Sequence, residues 1–129
     1  MSKVRTELEC GIIIAFLLGF LAHSICSHKV YIVGDDQGWN PNVDYKAWAC
    51  GKTFYQGDIL EFKYTEGFQV QEVTAKDFEA CNRNNPIFED HLGTTAIPLN
   101  TSGPHFFICG SFDYCNIGMK LNITVNCKH

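Results

Sequence analysis

Cys109 and Met119 are the side chains in this 129-residue sequence with the clearest chemical potential. They bracket a tight, Gly-punctuated loop, "CGSFDYCNIGM" (109–119), set between two apolar runs. A thiolate and a thioether are soft donors. Together they suit a soft cation such as copper when imidazole nitrogens complete the set. Imidazole is scarce nearby. His105 lies four residues before Cys109 on the same run, which at ~3.3 Å per strand residue separates their backbones by about 13 Å, too far to share an ion. His91 follows "NNPIFED" in a loop that nothing places near Cys109, and His28 and His129 lie far from it in the sequence, His129 as the last residue. The plainer reading of Cys109 is a small hydrophobe in a core.

The segments that must position this loop read as short strands. They are "KVYIV" (29–33), "DILEFKY" (58–64), "FQVQEVT" (68–74), "TTAIPL" (94–99), "GPHFFIC" (103–109) and "MKLNITV" (119–125). In the last, Leu121, Ile123 and Val125 point inward while Asn122 and Thr124 point outward. Pro98 assigns 94–99 to an edge or a bend. Only Thr65-Glu66-Gly67 separates 58–64 from 68–74, which predicts a hairpin. Helix is scarce: "TAKDFEAC" (74–81) opens on the N-cap candidate Thr74 with Asp77 three residues on, and "VDYKAWA" (43–49) forms at most another short turn. Many short strands with one or two helical connectors imply an antiparallel sandwich or barrel.

The N-terminus reads as a signal peptide, residues 1–27: Lys3 and Arg5, then the apolar run 11–22, then small residues that predict cleavage between 24 and 27. A retained membrane anchor needs roughly 20 apolar residues, more than this run supplies. The domain is then 28–129, long enough for a small core that covalent staples would help. Sequons at Asn100 ("NTS") and Asn122 ("NIT") agree with a secreted glycoprotein. The chain runs to His129 without a Ser/Pro-rich stalk or a second apolar tail, so no lipid anchor and no membrane insertion after cleavage are expected. A net charge of −4 without a basic stripe excludes nucleic acid as an expected partner.

Five cysteines follow the leader: 50, 81, 109, 115 and 127. An odd number in an exported domain leaves one unpaired. If the 109–118 loop shares an end with the 65–67 turn, Cys81 reaches Cys115, and Cys50 can meet Cys127 at the opposite end. Cys109 then remains as a buried thiol.

Several stretches together resemble the phytocyanins, plant extracellular relatives of the blue-copper cupredoxins. They are "YIVGDDQGW" (31–39), "YKAWACGKTFYQGDILEFKY" (45–64), "FEACN" (78–82) and "GPHFFICGSFDYCNIGMKL" (103–121). The resemblance covers almost the whole chain after the leader. It implies an all-β, cupredoxin-like antiparallel Greek-key β-sandwich or barrel. It also implies a copper site of two histidines, a cysteine and an axial Met or Gln. Carried over, the thiolate position falls on Cys109 and the axial position on Met119. The histidine before the disulfide cysteine is Tyr114 here, and the histidine opening the His-x-Val-x-x-Val pattern is Phe68 in "FQVQEV". A phenol, which ionises only near pH 10, is a poor substitute.

Both imidazoles are replaced, so no copper cofactor is expected. The chain resembles the early nodulin-like type, which typically lacks the copper ligands. The resemblance then implies a monomeric binding or structural module in the cell wall or at the outer cell surface, with a glycan or a protein as partner. The alternative is an electron-transfer protein of the blue-copper kind. No Ser/His/Asp or Cys/His arrangement is readable, and the acidic pairs Asp35-Asp36 and Glu89-Asp90 read as turn residues, so an enzyme is not expected. Phe68 and Tyr114 are expected to pack on each other around the Cys109 thiol, converting a metal pocket into core.

Overall fold

The computed structural model describes residues 28–128; the proposed signal peptide and His129 lie outside the described residues. Among the described residues eight strands form two sheets, a sandwich that does not close into a barrel. Strands β1 (Val30–Ile32), β3 (Ile59–Lys63) and β6 (Thr94–Pro98) form one sheet in the order β1-β3-β6. Strands β2 (Phe54–Tyr55), β4 (Val70–Val73), β5 (Phe88–Asp90), β7 (Gly103–Ile108) and β8 (Lys120–Asn126) form the other in the order β2-β8-β7-β4-β5. Among the described residues two helices connect strands, α1 (Tyr45–Ala49) between β1 and β2 and α2 (Ala75–Ala80) between β4 and β5. Each helix starts where a side chain accepts an otherwise orphaned backbone N–H. Asp44 accepts from Ala47 at 3.1 Å and Thr74 from Asp77 at 3.2 Å.

Alternating residues of the facing strands build the main core. Leu60 and Phe62 of β3 meet Val70 of β4, Phe107 of β7 and the inward row Leu121, Ile123 and Val125 of β8, with Trp39 and Tyr45 filling one end. Asn122 and Thr124 stay exposed, as their alternation requires. A smaller cluster on the outer face of the five-stranded sheet joins Val73, Ile108 and Cys115 to Phe78 of α2. Asp58 is a buried carboxylate, satisfied by backbone N–H groups of Lys29 at 3.1 Å and Tyr55 at 2.9 Å.

Three expectations change. The runs 58–64 and 68–74 are not a hairpin: β3 pairs with β1 and β6, whereas β4 pairs with β5 and β7. The turn between them, closed by Phe68 N–H on the Thr65 carbonyl at 3.3 Å, carries the chain from one sheet to the other. Alternation fixes which face of a strand is buried but not which neighbour it takes.

Not every pairing is antiparallel either, since β1 runs parallel to β3 and β2 parallel to β8. That second parallel pair bears on the Cys50–Cys127 bridge. The register sets Phe54 against Val125 and Tyr55 against Asn126, so Cys127 continues beyond Tyr55 while Cys50 lies back along the chain. Lys128 N–H indeed reaches the Gln56 side-chain oxygen at 3.2 Å. Cys127 is accordingly an exposed free thiol and not the partner of Cys50. Pro98, by contrast, lies on the edge strand β6 as its missing N–H demands.

Candidate functional site

The 109–119 loop folds by hydrogen bonds between its own ends. Cys109 N–H donates to the Met119 carbonyl at 3.1 Å, and Met119 N–H donates to the Tyr114 carbonyl at 3.0 Å. Gly118, at φ 110°, closes the 3-10 turn Cys115–Ile117 in a conformation that disfavours side chains. Residues 109, 114 and 119 are thereby drawn together although the sequence spreads them over eleven positions. Cys109 and Met119 are both fully buried members of the main core, and Phe68 and Tyr114 pack against that core half-buried.

The two rings meet. The Phe68 and Tyr114 centroids are 5.1 Å apart with their planes at 76°, an edge-to-face contact. Phe112 extends the stack, 5.9 Å from Tyr114 at 79°. All four residues carried over from the family's copper site therefore converge at one end of the sandwich.

Three features brace the loop from outside. The Cys81–Cys115 disulfide, with Cα atoms 5.8 Å apart, ties the end of α2 to it as expected. The Arg83 guanidinium donates through Nη1 to the carbonyls of Gly110 and Phe112, both at 3.0 Å. Gly110 itself has no room for a side chain: a Cβ there would stand 2.7 Å from the Gln71 amide carbon and 2.8 Å from Gln69 Oε1. The Gln71 amide is pinned by donation to Glu89 at 2.8 Å and to the Arg83 carbonyl at 3.2 Å. The Arg83 brace and the glutamine pair have no signature in the sequence, since they rest on the approach of three separate segments.

The donor set does not fit copper. Phe68 offers only hydrocarbon, which leaves one thiol, one thioether and the Tyr114 phenol where two imidazoles are needed. No group of three or more His, Cys, Asp or Glu among the described residues is arranged to hold a metal ion. Tyr45, also in this core, cannot supply a phenolate. Burial pushes its hydroxyl up to about 12, its hydrogen bond with the Asn40 backbone opposes this, and the nearby Cys109 adds to the rise. That hydroxyl instead donates to the Gly38 carbonyl at 2.6 Å.

No other imidazole takes part. Both nitrogens of His105 are engaged, Nδ1 with Glu72 at 2.9 Å and Nε2 with the Thr101 carbonyl at 2.8 Å. His91 and His28 are exposed. The sequon residues Asn100 and Asn122 stand exposed on the surface.

A two-sheet sandwich whose loop brings a cysteine and a methionine together beneath one end is the architecture of the cupredoxins. Residues 39–119 match the family model described as a plastocyanin-like domain. The structure superposes on copper-bound cucumber stellacyanin with a TM-score of 0.70 at 35% identity, covering 80% of this chain and 99% of that one. In sequence the chain is 36% identical over 127 residues to early nodulin-like protein 22 of Arabidopsis thaliana, covering 95% of this chain and 91% of that protein. It is 42% identical over 117 residues to a blue copper protein of Pisum sativum, covering 89% of this chain but 62% of the pea protein's length. The chain belongs to the phytocyanin family.

Proposed function

We propose that this phytocyanin acts outside the cell as a binding or structural module without a blue-copper redox centre. The observation that carries the reading is the edge-to-face contact of Phe68 with Tyr114 at 5.1 Å, at the two positions where copper-binding relatives place imidazoles. Aromatic packing and the buried sulfurs of Cys109 and Met119 give the loop the cohesion that metal bonds would otherwise supply. The apolar leader and the exposed sequon residues Asn100 and Asn122 support an exported glycoprotein of the cell surface or wall.

The competing reading is electron transfer through a remnant site at Cys109 and Met119. Titrating the purified protein with Cu(II) separates the two. The binding-module reading expects no intense thiolate-to-copper absorption at one equivalent, and such a band would overturn it.

A further inference from the structure

Phe112 combines two features that a folding chain ordinarily avoids. The residue is 79% exposed, and its backbone sits at φ 47°, in the left-handed region that disfavours residues with a Cβ. The conformation is held from outside by Arg83, whose Nη1 donates to the carbonyls of Phe112 and Gly110. An exposed aromatic on a strained, braced backbone is a presented side chain. It does not stand alone: its ring leads through Tyr114 at 5.9 Å to Phe68 at a further 5.1 Å. Leu92, 81% exposed, lies in the loop crossing the same end of the sandwich, where Lys63 pairs with Thr94 and Val70 with Asp90.

Exposed carboxylates border this apolar surface. Glu66 in the 65–67 turn and Asp113 beside Phe112 are exposed carboxylates. Of the cations there, Lys63 is paired with Glu61 at 3.6 Å, while Arg83 keeps its charge and is held against the two loop carbonyls. Aromatic faces bordered by carboxylates attract ammonium and guanidinium groups through cation–π and Coulomb terms acting together. We infer that this end of the molecule is a docking surface for a basic, partly apolar peptide segment of a partner protein, with the Phe112 ring as its anchor. The inference rests on the binding-module reading and names the partner's chemistry.

The test is fluorescence anisotropy with a labelled decapeptide alternating Lys and Leu, run beside its Glu/Leu counterpart and a cello-oligosaccharide competitor. The Lys/Leu peptide is expected to bind, more weakly as salt rises, and the other two are not. Phe112→Gly removes the ring and relieves the backbone, and Phe112→Asn keeps a residue tolerant of that backbone. Both are expected to weaken binding at least about tenfold while leaving the thermal midpoint unchanged or higher. Glu66→Gln with Asp113→Asn is expected to weaken binding and flatten its salt dependence. The inference is overturned if the Lys/Leu peptide does not bind, if the Glu/Leu peptide or the sugar binds better, or if the Phe112 variants bind as tightly as the parent. None of these outcomes touches the copper titration, which tests the underlying reading by itself.

Discussion

Cys109 N–H donates to the Met119 carbonyl at 3.1 Å, so the two sulfur residues of the loop are joined through their backbones. The edge-to-face contact of Phe68 with Tyr114 adds a side-chain tie between this loop and the start of the β4 run.

That ring contact is measurable as a coupling. Phe68→Ala and Tyr114→Ala are each expected to destabilise the fold by about 1–2 kcal/mol, below the fully buried range because both residues are half-exposed. The double variant should lose roughly 0.5–1.5 kcal/mol less than the sum of the singles. Urea denaturation of the four proteins gives the cycle, and strict additivity would mean that the rings do not support each other.

Gly110→Ala probes the glutamine pair. The new Cβ would meet the Gln71 amide, which cannot retreat without breaking its bonds to Glu89 and Arg83. A loss of about 1–3 kcal/mol is expected from this overpacking. The Gln71→Ala background should recover part of it, as followed by thermal denaturation.

Tyr45 makes stability fall at high pH. Its folded hydroxyl titrates at about 12, above the ordinary value of 10.0. The unfolded chain therefore releases its proton first. Between those values the unfolded state binds fewer protons than the native one, so stability is intact below pH 10 and is lost as pH rises through about 12. The loss is of the order of 2 kcal/mol. Tyr31, raised to about 12 chiefly by burial, adds in the same direction. Denaturation midpoints from pH 9 to pH 12 should slope less steeply in Tyr45→Phe, and an unchanged slope would remove Tyr45 from the account.

The Cys81–Cys115 bridge closes a separation of 34 residues and staples α2 to the loop. Replacing both cysteines by alanine is expected to cost about 2–4 kcal/mol by equilibrium denaturation. A loss well below 1 kcal/mol would show that the Arg83 brace holds the loop unaided.

The parts of this structure that were legible in the sequence are those encoded locally. Thr74 with Asp77 announced the start of α2, the alternation of Leu121, Ile123 and Val125 announced the buried face of β8, and Pro98 announced an edge. In the 109–119 loop the sequence itself shows Cys109 and Met119, whereas Phe68 and Tyr114 enter only through the resemblance to the phytocyanins. What escaped was any choice among distant partners. The turn at 65–67 reads the same whether it joins neighbours in one sheet or crosses between two. The parallel registers of β1 and β2 leave no local mark, and the second carries Cys127 past Tyr55 and away from Cys50. The Arg83 brace and the strained Phe112 depend on approaches between segments 27 and 29 residues apart.

The central claim is that aromatic rings have replaced the two nitrogen ligands of a copper site whose frame persists. Its most direct test is a parallel Cu(II) titration of the natural protein and the Phe68→His/Tyr114→His double variant, read by visible absorption at one equivalent. The account predicts an intense thiolate-to-copper band in the double variant and none in the natural protein. A band of comparable intensity in the natural protein would contradict it.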